Sequence, residues 1–231
     1  MTIDLPQDVR WIIKTLTDAG YEAYAVGGCV RDSILGRVPA DWDITTSAMP
    51  HDVKKLFRRT VDTGIQHGTV TVMLKSKAYE VTTYRIDGHY SDGRHPDRVT
   101  FAAKLEDDLM RRDFTINAMA YNEEAGLVDI YGGESDLDRG IVRAVGNAGE
   151  RFKEDALRIM RAFRFAAQLG FTIDKETLDA AGALRENLRQ VSAERIRIEL
   201  TKLAVSPHPE LLKDMYEAGV TGIFMPEFDA L

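Results

Sequence analysis

Up to about residue 147 the sequence alternates short β-rich runs with helix-patterned segments, and beyond about residue 148 no run resembles a strand. Such a change of pattern predicts an α/β domain with a mixed sheet over residues 1–147, followed by an all-helical region over 148–231. Gly146 to Gly149 marks the boundary. Val9, Ile12, Ile13 and Leu16 recur at helical spacing, and Gly20 stands where a helix stop belongs. "YEAYAV" reads as a strand, the diglycine Gly27–Gly28 as a turn, and "CVRDSILG" as a helix. "DWDITT" reads as a further strand, "PHDVKKLFRR" as a helix, and "GTVTVMLKSKAYEVTTYR" as a hairpin around "KSK". "IDGHYSDGRHPDRVTF" has no clean period, which predicts a mobile loop over 87–98, and "KLEDDLMRRDFTINAMAYN" is helical in pattern. Helices are expected near 150–169, 174–188, 192–205 and 207–219.

The chain has 231 residues, 44% of them hydrophobic, enough for two domains. It holds no run of about 18 apolar residues, and "MTIDLPQDVR" has neither the basic nor the apolar part of an export signal, so a soluble, cytoplasmic protein is expected. Cys29 is the only cysteine, which excludes an internal disulfide and a multi-cysteine zinc site, and suits a small core residue. A net charge of −7 gives no global attraction to nucleic acid and leaves only local basic patches to provide it.

Side chains alternate faces along a strand, so Asp41 and Asp43 point the same way while Trp42 and Ile44 point the other. Two carboxylates side by side repel, and a divalent cation relieves the repulsion; hard oxygen donors suit magnesium bound with substrate phosphates. Exposure at a strand end is the plainer alternative. Ahead of the pair, Gly27 and Gly28 lie between strand and helix, where backbone N–H groups approach a phosphate, and Arg31 on the first turn offers a forked donor. The spacing is not that of a dinucleotide fingerprint. Turn, arginine and carboxylate pair together describe a nucleoside triphosphate site. Further along, Arg158, Arg161, Arg164 and Gln168 fall within about 120° of one another on a single helix begun at Glu154, with Asp155 about 60° outside Arg158. A solvated basic face is again the alternative. Glu80, alone on a strand, receives no assignment, and His89 and His95 match no zinc spacing.

"GGCVRDSILG" followed by "DWDITT" resembles the signature of the nucleotidyltransferase superfamily, in the branch that holds bacterial CCA-adding enzymes and poly(A) polymerases. "RRDFTINAMAYN", "DIYGG" and "EDALRIMRAFRFAAQLGF" follow in the order of the further motifs of class II tRNA nucleotidyltransferases, so that the likeness runs from about residue 21 to 205. The resemblance implies a nucleotidyltransferase head (1–147), then a helical neck and the start of a body (148–231), with the chain ending before a tRNA-binding tail. It implies template-independent addition of C and A to the tRNA 3′ end from CTP and ATP, with magnesium on Asp41 and Asp43 and pyrophosphate released. Partners would be the tRNA 3′ end, CTP and ATP, with no membrane and no obligate protein partner. Gly28, Arg31, Arg112, Arg161 and Arg164 would bind the nucleotide, and Asp155 with Arg158 would hold the edge of the incoming base. A carboxylate accepts from the exocyclic amine of cytosine or adenine, and a guanidinium donates to ring acceptors, so the pair could stand in for a template base. The same likeness gives the 87–98 loop a part in the change from C to A addition. A poly(A) polymerase, an enzyme adding part of CCA, and a non-catalytic nucleotide- or RNA-binding module are the alternatives.

Overall fold

The computed structural model describes residues 2–88, 99–102 and 104–229. The expected loop over 87–98, with His89 and His95, lies from residue 89 onward outside the described residues. Two compact units emerge, one from residues up to 88, 99 to 112 and 116 to 134, the other from 113 to 115 and 135 onward. Between the two units the chain passes at residues 134 and 135, and residues 113 to 115 belong with the second.

In the first unit the order is α1 (Gln7–Asp18), β1 (Ala23–Val26), α2 (Gly28–Ile34), β2 (Asp43–Thr46), α3 (Pro50–Leu56), β3 (Thr60–Gly64), β4 (Thr69–Leu74), β5 (Lys77–Thr83), β6 (Arg85–Asp87), β7 (Val99–Phe101), α4 (Leu105–Met110), β8 (Ala120–Asn122) and β9 (Gly126–Val128). Seven strands form one sheet in the order β3-β4-β5-β2-β1-β8-β9, and β6 pairs with β7 separately. The sheet is mixed, since β2 and β5 run parallel while β1 is antiparallel to both β2 and β8. α1 buries the four apolar residues its spacing singles out, Val9, Ile12, Ile13 and Leu16. Cys29 is buried as expected, and burial pushes its thiol up to about 12, leaving it inert at neutral pH.

Local reading falls short at two places here. "RRDFTINAMAYN" is not a helix: α4 stops at Met110, and Ala120–Asn122 adds to the sheet beside β1. Phe114, Ile116, Ala118, Met119 and Ala120 are all fully buried, and a run buried on every side carries no period that separates strand from helix. The Asp113 carboxylate also accepts from the Phe114 N–H at 2.8 Å, a local bond that competes with a helical ladder. β3 lies between the expected helix, which ends at Arg59, and the expected hairpin, which begins at Gly68, in a stretch that receives no element from sequence. It pairs with β4 through a register shift between Val61 and Gly64.

The second unit holds α5 (Gly133–Arg139), β10 (Ile141–Val142), α6 (Ala148–Glu154), α7 (Leu157–Leu169), β11 (Thr172–Ile173), α8 (Lys175–Ala183), α9 (Ala193–Ala204), α10 (Leu212–Glu217), α11 (Thr221–Phe224) and α12 (Pro226–Asp229), α5 beginning at the division itself. It is helical in the main, but β10 and β11 pair in parallel, so one strand does lie beyond 148. The expected 174–188 helix ends at Ala183 and passes into a 3₁₀ stretch over Arg185–Gln190. α7 is the core helix, with Ile159, Met160, Ala162, Phe163, Ala166 and Ala167 buried, and Gly170 ends it in the left-handed conformation. No helix among the described residues is long and apolar enough to cross a membrane.

The single helix expected from Glu154 to residue 169 is broken. α6 ends at Glu154, Asp155 is extended (φ −141°, ψ 104°), and α7 starts afresh at Leu157. The Asp155 carboxylate accepts from the Leu157 N–H at 3.0 Å and its carbonyl from the Arg158 N–H at 3.0 Å, so the aspartate satisfies donors at the start of α7 instead of extending α6.

Candidate functional site

β1 ends at Val26 and α2 begins at Gly28, leaving Gly27 alone to make the turn. Its φ of +84° and ψ of −132° lie where only glycine is unstrained, and a Cβ there would sit 2.9 Å from Arg112 Nη1. From sequence the phosphate-binding glycine is Gly28, yet a Cβ on Gly28 meets only Arg31 Nη2 at 3.5 Å, an ordinary contact. The backbone requirement therefore rests on Gly27. Gly27→Ala is expected to cost about 1–3 kcal/mol and to displace Arg112, while Gly28→Ala stays close to the parent. Urea unfolding of the two variants checks this, and equal losses would remove the distinction.

Arg31 does not reach outward. It is 9% exposed, its Nη1 donates to Asn117 Oδ1 at 2.6 Å, and its Nε donates to Asp32 Oδ1 at 2.8 Å. Arg112 is the more available cation of this unit. Its Nη2 reaches Asp108 Oδ2 only at 3.4 Å, and its Nε is buried with no hydrogen-bond partner among the described residues.

Asp108 anchors α4 to the sheet face that carries Asp43. Its carboxylate is fully buried, accepts from Arg111 Nε and Nη2 at 3.0 and 2.8 Å, and takes the Thr45 hydroxyl at 3.0 Å. Burial works to raise its pKa, but the Arg111 and Arg112 charges and these bonds hold it below 3.8. A depressed carboxyl contributes stability that is full above its unfolded value and is lost as pH falls through the folded one. Asp108→Asn should therefore be less stable than the parent by about 2 kcal/mol at pH 7. The gap should close as pH drops below about 4, and denaturation at pH 7 and pH 3 measures both.

Asp43 begins β2, and Asp41 stands just ahead of it. The parallel register Ile44↔Val81 carries back one residue to set Asp43 beside Glu80; Glu80 faces Thr71 across β4, and Thr71 faces Val61 across β3. Asp43, Glu80, Thr71 and Val61 thus form a row across four neighbouring strands. The row lines a cavity of 570 Å³ with Asp41, Trp42, Thr63, Met73 and Ala78. Asp43 keeps accessible surface at the cavity mouth, though protein surrounds the rest of it. Burial first, and then the charges of Asp41 and Glu80, push its carboxyl up to about 6 against the pull of Arg112. Like charges that raise a carboxyl in this way favour a divalent cation, whose charge would reverse the shift, although among the described residues no three acidic, histidine or cysteine side chains already converge as a metal site. Glu80, left unassigned from sequence, joins the pair through sheet register, which pairwise strand alignment could have revealed.

In the second unit Asp155, Arg158, Arg161 and Arg164 do not form a solvated stripe. Arg158 and Arg164 are 8% and 7% exposed. Arg158 Nη1 donates to Glu154 Oε2 at 2.6 Å and to the Arg151 carbonyl at 3.1 Å. Arg161 grips Asp113 Oδ2 through Nε and Nη2 at 2.8 and 2.5 Å, and Arg195 Nη2 donates to Asp155 Oδ2 at 2.9 Å. Arg164 pairs with Glu199, donates to Gln168 Oε1 at 2.8 Å, and lays its guanidinium 3.8 Å from the Phe165 ring centroid. Burial lowers its pKa, with Glu199 opposing. Asp113, Glu154, Arg195 and Glu199 were all invisible from sequence as partners, because each is remote along the chain or reads as helix surface.

Residues 23–143 match the family described as poly A polymerase head domain, and 170–231 match the one described as the probable RNA and SrmB-binding site of polymerase A. The CCA-adding enzyme of Lactiplantibacillus plantarum is 52% identical over 94% of this chain and 52% of its own length. The CCA-adding enzyme of Bacillus stearothermophilus, solved in complex with CTP, is 45% identical with a TM-score of 0.86, over 93% of this chain and 52% of that one. The Thermotoga maritima CCA-adding enzyme, solved with tRNA, is 25% identical with a TM-score of 0.81, over 98% and 57%. The chain spans about half the length of the curated relatives it matches.

Proposed function

Since the chain belongs to the poly A polymerase head-domain family, we propose that it is a tRNA nucleotidyltransferase, adding C and A to the tRNA 3′ end from CTP and ATP without a template. The observation that carries this reading is the acidic row of Asp43 and Glu80 with Asp41 on one open face of the sheet, in the unit that also holds the Gly27 turn and Arg112. Similarity to CCA-adding enzymes, one solved with CTP and one with tRNA, supports the substrates.

In this reading the acceptor's 3′ oxygen attacks the α-phosphorus of the triphosphate, the bond to the bridging oxygen breaks, pyrophosphate leaves, and the hydroxyl proton passes to solvent. Asp41 and Asp43, with Glu80 beside them, would hold magnesium, which when bound lowers the barrier by acidifying the hydroxyl and neutralising the leaving group. No nucleophile from the protein is needed. Arg112 and the Gly27–Gly28 backbone would hold the triphosphate, and Arg31, tied to Asn117, would stiffen that turn. Asp155 and Arg158 would read the base. Each Asp155 oxygen already accepts one bond, and a carboxylate oxygen has a second lone pair for an exocyclic amine. Arg161 and Arg164 would serve that site from positions fixed by Asp113 and Glu199. The head and neck division, near residue 147 by sequence, and a cytoplasmic location belong to the same reading.

The test supplies labelled CTP, ATP, or both to a tRNA stripped of its 3′ CCA. C from CTP alone, no A from ATP alone, and CCA from the mixture is the expected pattern. A ladder of A from ATP alone would point to poly(A) synthesis, and no incorporation would overturn the assignment.

A further inference from the structure

The outer half of the 570 Å³ cavity has a chemistry of its own. Beyond Glu80 the row continues to Thr71 and Val61, flanked by Thr63, Met73 and Ala78, and among the described residues its lining carries no basic side chain. What the described lining offers at this end is hydroxyls and apolar surface. Thr63 and Thr71 share a hydrogen bond of 2.7 Å between their hydroxyls. Such a pair consumes one of its two protons internally and keeps one donor and several lone pairs, matching a partner that both donates and accepts. Thr63 and Val61 are exposed, Val61 at 48%, an apolar floor beside a hydroxyl pair. A ribose with its 2′-hydroxyl has that combination.

Strands lie about 4.8 Å apart, so Glu80 stands one spacing and Thr71 two spacings, about 10 Å, from Asp43. That span exceeds the separation of the two hydroxyls on one ribose. If the attacking 3′ oxygen lies at Asp41 and Asp43, the terminal sugar covers Glu80, and the sugar before it reaches β4 and β3. We propose that β3 and β4 seat the penultimate ribonucleoside of the acceptor RNA, with the Thr63–Thr71 hydroxyl pair bonding its 2′-hydroxyl. This inference rests on the nucleotidyltransferase reading above. It makes the outer strands a device for choosing RNA over DNA one nucleotide away from the chemistry.

The experiment compares C addition, by the full chain, to acceptors that carry a single 2′-deoxy sugar at the penultimate position, at the terminal position, or nowhere. The parent should lose about tenfold in kcat/KM on the penultimate-deoxy acceptor, the size of one net hydrogen bond. Thr63→Val should lose a similar factor on the all-ribose acceptor, with no further loss from the penultimate deoxy sugar, while Thr63→Ser restores the parent's discrimination. Losses that multiply in Thr63→Val, or a parent indifferent to the penultimate sugar, would overturn the subsite while leaving the enzyme assignment standing. A variant whose discrimination changes only at the terminal sugar would overturn the register. No addition to any acceptor by the parent would remove the enzyme reading and the subsite together.

Discussion

On the proposed reading, Asp41→Ala and Asp43→Ala should each lower C and A addition by at least about a hundredfold, because several kcal/mol of charge stabilisation at about 1.4 kcal/mol per decade would be lost in a step common to both nucleotides. The fold should not suffer. Asp43 titrates near 6 rather than 3.8, so its ionisation opposes folding. A raised carboxyl loses stability as pH climbs between those two values. In chelator at pH 8, Asp43→Asn should accordingly melt no lower than the parent, while losing nucleotide addition. Single-turnover rates with CTP and with ATP, beside melting curves, measure the two halves. A variant with parental rates would take the carboxylates out of the chemistry, and one that melts well below the parent would make them structural.

Glu199→Leu is expected to destabilise the chain by about 3–5 kcal/mol, since it strands the buried Arg164 charge that now pairs with Glu199. At about 2–4 °C per kcal/mol for a chain of this size, the melting temperature should fall by roughly 6–20 °C. Arg164→Met should cost a similar amount by stranding the carboxylate. The double variant Arg164→Met/Glu199→Leu should return to within about 1 kcal/mol of the parent, because two apolar side chains replace the pair without a bare charge. It also separates two roles for Arg164. A double variant that is stable and retains nucleotide addition assigns Arg164 to the fold alone, whereas one that is stable but inactive assigns it to the nucleotide. Single variants as stable as the parent would mean that the pair is not a buried one.

Much of this was legible. A helix over Gln7–Asp18, the strand, turn and helix around Gly27, and the β4–β5 hairpin each follow a local rule of period or turn chemistry. What stayed hidden depends mostly on partners far away in sequence, and at Asp155 and Arg158 on short-range side-chain bonds that periodicity does not register. Ala120–Asn122 became a strand because β1 was there to pair with it. The helix expected through Asp155 broke because one carboxylate bonded the backbone two residues on. Glu80 entered the acidic group through its register with β2. The arginines of α7 kept the angular spacing that periodicity gives, but angle says nothing about burial. Only Asp113, Glu154 and Glu199, brought in by the fold, turn a basic stripe into a set of ion pairs.

The uneven pairing of β3 with β4 has a consequence for solubility. β3 ends the sheet, and an end strand that is long, flat and apolar invites another chain to pair with it. The register shift between Val61 and Gly64 interrupts the row of outward backbone groups, and Asp62, held by Lys54 at 2.8 Å, sets charge on the same short strand. The irregularity beside Thr63 thus makes this border a poor template for aggregation, so that straightening the strand would trade monodispersity for regularity.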